Sequence, residues 1–265
     1  MPDRMINATL VLFTMTIPES SSAGASDEST IVGQIISKIA HIRLASASSR
    51  RAAWLVDKFS KREVEFSQSP LVSIEPTGKS GFVSNQVESI LDWKIGAAEI
   101  EINLEIESLG AGVAGLKNNE ERERIVSFPN YIIVADTLVE DPDDTNLALG
   151  QPTDLSNAAS MLLRLSGRRH LVWSGTAVLQ PDLELGWSSP YVVAKSVESA
   201  TVEIDELTDL NLQELLESGS WKGKAGGYDL AGEMRDYAHL VAGEEVTVLG
   251  FAPTAIRKLE SRIID

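Results

Sequence analysis

Ile42-Arg43-Leu44-Ala45-Ser46-Ala47-Ser48-Ser49-Arg50-Arg51-Ala52-Ala53-Trp54-Leu55-Val56 is an apolar run that enters a cluster of small hydroxyl residues, passes two arginines and leaves as a helical pattern. It reads as strand, tight turn and helix N-terminus. The first backbone N–H groups of such a helix have no intrahelical partner, and the helix dipole adds partial positive charge there. Arg50 and Arg51 add two full charges and bidentate donors. A turn of this kind can hold a phosphate. A Ser-rich turn with surface arginines is the competing reading, and this stretch alone does not separate the two.

Working outward, Val64-Glu65-Phe66 alternates as a second strand, and Leu71 to Pro76 is an extended run that ends at the carboxylate of Glu75. Asn85 to Ala98 predicts a helix with Val87, Ile90, Leu91 and Ile95 near one face and Lys94 beside it. Glu99 to Glu107 alternates Ile or Leu with mostly Glu, a strand pattern in residues that also tolerate a helix. With the Gly-rich and then charged stretch that follows, about 98–126 is read as an insertion. Tyr131 to Ala135 is the strongest buried-strand signal and ends at Asp136-Thr137. A carboxylate at the end of a buried strand lies where open α/β sheets place ligands, although an Asp there also caps turns. Asp141-Pro142-Asp143-Asp144 fits no EF-hand loop and is read as a solvated turn.

Leu155, Ala158, Ala159, Leu162 and Leu165 keep helical spacing, and Gly167 with Arg168 and Arg169 ends that helix. His170 to Leu179 predicts a strand in which Gly175 marks a bulge or a close approach. Val192 to Ile204 predicts another strand, Thr208 to Leu216 a helix, Glu244 to Leu249 a short strand, and Pro253 the start of a last helix. Between them, Trp221 to Tyr228 carries three glycines and two lysines, which allow close backbone approach beside positive charge. Strands and helices in alternation predict an α/β fold.

The net charge of −16 argues against general nucleic-acid binding, so any phosphate ligand must be met by local positive charge. No cysteine is present, which excludes disulfides and thiolate metal sites. No apolar run approaches the roughly 20 residues of a membrane span. Residues 1–40 read as a flexible extension or as the product of an early start codon. Ala8 to Ile17 after Arg4 has some signal-peptide character, but it is short and holds Thr14 and Thr16. The expected location is the cytoplasm. Gly78-Lys79-Ser80 is not a P-loop, because the motif needs Gly at position 73 and Ser73 is there. His41, His170 and His239 lack HExxH spacing and are read as core or surface residues. No G-x-S-x-G elbow is present.

Several of these pieces occur together in one family. The chain resembles the Maf (septum-formation-inhibitor-like) nucleoside triphosphate pyrophosphatases, nearer the dTTP/UTP-type group, over about residues 41–260. The family opening L-A-S-x-S-P-R-R is similar to Leu44 to Arg51, its acidic residue after the second strand to Glu75, and its helix lysine to Lys94. G-A-D-T is similar to Val134 to Thr137 and L-G-K-P to Leu149 to Pro152. M-L-x-x-L-S-G-R-x-H is similar to Met161 to His170, and K-A-G-A-Y-G-I-Q-G to Lys224 to Gly232. Ser49 replaces the proline of the opening turn, and Gln151 replaces a lysine. Ala231 stands where the dTTP/UTP group has Gln and the methylated-GTP group has Glu.

The resemblance implies a mixed, twisted sheet with flanking helices and two lobes around a cleft, like the inosine triphosphate pyrophosphatases. It implies a Maf-like domain over 41–265, carrying the insertion. It also implies hydrolysis of a nucleoside triphosphate to the monophosphate and pyrophosphate. The phosphates would be met by Ser48, Arg50, Arg51, Lys94 and Lys224, with Thr137 and Ala231 at the positions of base choice. Glu75 and Asp136 would bind a divalent cation, Mg²⁺ or Mn²⁺. Asp136 would accept a proton or orient a water that the metal activates. The family often forms homodimers. The competing reading is a regulatory nucleotide-binding protein whose catalysis Gln151 and Ala231 have weakened.

Overall fold

The computed structural model describes residues 39–74, 80–108, 128–182 and 188–264. Strand β1 (Ala40–Leu44) runs through the hydroxyl-rich turn into helix α1 (Ser49–Lys58). Ser48 caps α1, its hydroxyl accepting from the Arg51 amide at 3.3 Å, which satisfies one of the unpaired N–H groups. Strand β2 (Val64–Gln68), helix α2 (Val83–Ser108) and strand β3 (Tyr131–Glu140) follow, then β4 (Ala148–Leu149) and helix α3 (Leu155–Leu165). The long strands β5 (Arg168–Asp182) and β6 (Ser188–Ile204) precede helix α4 (Asp209–Ser218), β7 (Ala238–Ala242), α5 (Glu245–Leu249) and α6 (Pro253–Ile264).

Among the described residues, seven strands form one mixed sheet in the order β2-β1-β3-β5-β6-β7, with β4 on β3. β1 is parallel to β2 and β3, whereas the pairs β3–β5, β5–β6 and β6–β7 are antiparallel. The buried run of β3 alternates between two faces, as strand geometry requires. Ile133 and Ala135 pack with Leu55, Phe59, Phe251 and Leu259 from α1, the α5–α6 loop and α6. Ile132 and Val134 pack with Leu91, Ile95, Ala98 and Ile102 of α2. A third cluster fills the other end of the sheet, where Met161, Leu162 and Leu165 of α3 and Leu215 of α4 meet Val139, Val172, Val202 and Ile204. Each Val, Leu, Ile, Phe or Met side chain buried this completely contributes about 1.5–3 kcal/mol.

Two elements differ from the pattern reading. Residues 99–107 continue α2 and are not a strand. Leu91, Ile95, Ala98, Ile102 and Ile106 form one stripe at 3–4 spacing against the sheet, while Ile100 and Leu104 stay exposed. The interleaved glutamates fasten neighbouring segments. Glu101 accepts from the amides of Val72 and Ser73 at 3.0 and 3.1 Å, and both carboxylate oxygens of Glu105 accept from one terminal nitrogen of Arg43 at 2.8 and 2.7 Å. Residues 245–249 form the short helix α5 rather than a strand, and Val248 from it enters the third cluster. The strand of this region is β7, just before it.

Gly175 is a close approach and not a bulge. A Cβ there would lie 3.0 Å from Val87 and 3.2 Å from Leu91, so α2 lies directly on β5. The acidic turn is not simply solvated. Asp141 is buried, accepts from the Asp143 amide at 2.9 Å and pairs with Arg164 of α3. That arginine hydrogen bond holds its carboxyl below the usual carboxylate range. Asp143 pairs with Arg168. Most of the N-terminal extension and positions 109–126 of the expected insertion lie outside the described residues. Among those described, no helix is long and apolar enough to cross a membrane.

Candidate active site

The turn after β1, the Asp136–Thr137 end of the buried run of β3, the 150–151 loop and the glycine loop surround a cleft of about 590 Å³. Its lining includes Ser48, Arg50, Arg51, Lys94, Asp136 and Thr137, with Gln151, Gly223 and Tyr228 on the other side. Six of the residues expected at a site therefore meet in one place, although they come from three separate elements.

Asp136 lies midway along β3, between the buried run 132–135 and Val139, which is buried in the third cluster, so the reading of it as the end of a buried strand is corrected. Its Oδ1 accepts from Lys94 Nζ at 2.5 Å, and the same Nζ donates to the Ala135 carbonyl at 3.2 Å. A 3.6-residue period places Lys94 within reach of β3 because Leu91 and Ile95 lie flat against the sheet. Asp136 Oδ2 accepts no hydrogen bond among the described residues. Glu75, the other expected metal ligand, lies outside them.

The two arginines of the opening turn have different environments. Arg51 points inward. Its Nε donates to Gly250 O at 2.8 Å, one terminal nitrogen donates to Ser46 Oγ at 3.2 Å and Ala135 O at 3.3 Å, and the other donates to Thr137 Oγ1 at 2.8 Å. Burial pushes this guanidinium down to about 10, with the charge of Asp136 opposing the shift. The hydroxyls beyond it form a directed chain. Ser174 uses its proton on Thr247 O at 2.7 Å, so Thr137 donates to Ser174 at 2.8 Å and accepts from Arg51. Arg50 instead faces across the cleft and pairs with Asp229 at 3.0 Å.

The glycine loop is held by its neighbours. Gly226 and Gly227 have φ of +68° and +75°, in a turn spanning Ala225–Gly227. A Cβ on Gly226 would stand 2.9 Å from Val139 Cγ2, and its amide donates to Gly150 O at 3.0 Å. Tyr228 is buried, and its hydroxyl lies 2.7 Å from His170 Nε2. Desolvation pushes His170 down to about 4 and raises the Tyr228 hydroxyl, so the pair is neutral at pH 7. Lys224 borders the cleft without lining it. Its Nζ donates to Ser220 O and lies 3.7 Å from Asp229 Oδ2. Ala231 is exposed and outside the lining. Asp229 was not singled out from sequence, since a lone Asp after Gly-Gly-Tyr reads as a turn residue.

A mixed α/β sheet with two arginines and a lysine gathered around an aspartate midway along β3 is suited to binding anions. The chain belongs to the Maf family, described as Maf-like protein, which matches residues 41–262. It is 32% identical over 120 residues to a dTTP/UTP pyrophosphatase of Granulibacter bethesdensis, covering 45% of this chain and 51% of that protein. It is 28% identical over 207 residues to the dTTP/UTP pyrophosphatase of Rhizobium etli, covering 78% and 84%. A human probable bifunctional dTTP/UTP pyrophosphatase/methyltransferase protein is 30% identical over 222 residues, covering 82% of this chain and 31% of that one. The match to the first of these thus spans about half of that relative's length.

Proposed function

We propose that this chain is a nucleoside triphosphate pyrophosphatase that hydrolyses its substrate to the monophosphate and pyrophosphate, with dTTP and UTP preferred. The observation that carries the reading is the convergence of Arg50, Lys94 and Asp136 on one cleft. The names of the relatives above support the same activity.

The chemistry needs a positioned phosphate chain, charge neutralisation and an oriented water. Arg50 and Lys224 can take phosphate oxygens from the side of α1 and the glycine loop. Lys94 holds Asp136 in one orientation and adds positive charge beside it. Asp136 is the group placed to orient the water or to accept its proton as the bond to the leaving pyrophosphate breaks. Arg51 acts indirectly, by locking the turn and Thr137 in place.

A divalent cation fits the donor set. No group of three or more metal-ligating side chains occurs among the described residues, and Mg²⁺ is commonly held by one or two carboxylates together with substrate phosphates. Asp136 Oδ2 is the oxygen that would hold it, with Glu75 as the expected second ligand. When bound, the cation supplies charge neutralisation on the phosphates and lowers the pKa of water. A cytoplasmic location and a homodimer belong to the same proposal.

The test is release of pyrophosphate with Mg²⁺ or Mn²⁺ across common and modified triphosphates. The expected result is monophosphate and pyrophosphate in equal amounts, with dTTP and UTP ranked first. A flat or purine-led ranking overturns the base preference. Tight nucleotide binding without turnover overturns catalysis and favours the regulatory reading.

A further inference from the structure

Two of the cations expected to meet phosphate already share an anion. Asp229 places Oδ1 3.0 Å from Arg50 and Oδ2 3.7 Å from Lys224 Nζ, so each carboxylate oxygen faces its own positive group. The three side chains are only 29%, 15% and 20% exposed for Arg50, Asp229 and Lys224, and solvent therefore screens them less than a surface pair. The carboxylate is also held in place. The Ala231 amide donates to its Oδ1 at 3.3 Å, and the Gly232 amide donates to the Asp229 carbonyl at 3.1 Å. Tyr228, the preceding residue, is buried against His170. A carboxylate fixed across two cations presents the same charge and the same pair of acceptors as one edge of a phosphate.

We propose that Asp229 is an internal competitor for phosphate: its carboxylate occupies the faces of Arg50 and Lys224 that a polyphosphate must use, and so sets how tightly the cleft takes one. The inference rests on reading the cleft as a polyphosphate site. A ligand phosphate reaching Arg50 must displace the carboxylate or sit beside a second negative charge. Either event weakens binding, and the penalty grows with the charge of the ligand.

The test is calorimetric binding of inorganic tripolyphosphate and of orthophosphate to the full chain and to Asp229→Asn, together with steady-state kinetics. Asp229→Asn is expected to bind tripolyphosphate about fivefold tighter and orthophosphate with a smaller gain. Its KM for a triphosphate should fall by a similar factor with kcat unchanged. Asp229→Ser should reproduce the gain, and Asp229→Glu should stay within about twofold of the parent. In an Arg50→Gln background the gain should shrink. Unchanged or weaker tripolyphosphate binding in both neutral variants overturns the proposal, as does a gain of equal size without Arg50. Tighter binding in a protein that turns over no nucleotide keeps this inference and removes the pyrophosphatase reading. Turnover with no effect at position 229 does the reverse.

Discussion

Arg51 donates from Nε to the carbonyl oxygen of Gly250 at 2.8 Å, joining the start of α1 to the loop between α5 and α6. A Cβ on Gly250 would stand 2.6 Å from that Nε, and its φ is +125°. The contact therefore requires glycine on one side and a long planar donor on the other. Arg50, the neighbouring residue, has no part in this clamp and faces the cleft.

The two arginines should therefore fail differently. Arg51→Lys keeps a charge but loses the fork that serves Ser46, Ala135, Thr137 and Gly250, and is expected to lose about 2–4 kcal/mol of stability. Arg50→Gln should stay within about 1 kcal/mol of the parent while raising KM about tenfold. Urea denaturation beside steady-state kinetics separates the two. Equal destabilisation by both variants would contradict the division of roles.

Asp136→Asn preserves the shape and one oxygen acceptor but cannot accept a proton. Pyrophosphate release is expected to fall by at least about 100-fold, with thermal unfolding of the variant still cooperative. Near-parental kcat in this variant would remove Asp136 from the chemistry.

The turn that carries Lys224 and Tyr228 depends on Gly226. Gly226→Ala puts a side chain at φ +68° and 2.9 Å from Val139, and is expected to cost about 1–3 kcal/mol. Because the same turn borders the cleft, activity should drop with it. Substitution at Gly223, which has φ +69° but nothing within 4 Å of its Cβ position, should cost less. A denaturant series on the two alanine variants ranks them directly.

His170 makes stability depend on pH. Its folded pKa is about 4, lowered by burial, against about 6.5 when unfolded. Above pH 6.5 both states are neutral and nothing is lost. As pH falls from 6.5 to 4 the unfolded chain takes up a proton that the folded chain does not, and stability falls by up to about 3 kcal/mol. Urea titrations at pH 7 and pH 5 measure the slope. His170→Asn should flatten this contribution even if it lowers stability at both pH values.

The strand–turn–helix opening and the buried run that reaches Asp136 were legible because each follows from local periodicity and residue size, whereas at Gly175 a bulge and a close approach stayed open until α2 was seen to pack on β5. Residues 99–107 were not, since an Ile–Glu alternation satisfies both a period of two and a stripe at 3–4 spacing. Only contact of Ile102 and Ile106 with the sheet selects the helix. The 244–249 stretch is ambiguous for the same reason, being too short for its period to decide. Asp141 read as a solvated turn because its partner Arg164 belongs to another element.

By itself the sequence determined the α/β alternation, because hydrophobic period is a local property, and it carried the ordered motifs by which the chain resembles the Maf family and which nominate charged residues for phosphate. Tertiary structure alone decided which arginine faces outward. It also made Lys94 the partner of Asp136, and it placed Asp229 across Arg50 and Lys224. Those outcomes depend on groups brought together from separate elements, where burial and the shortage of competing water determine which charges pair.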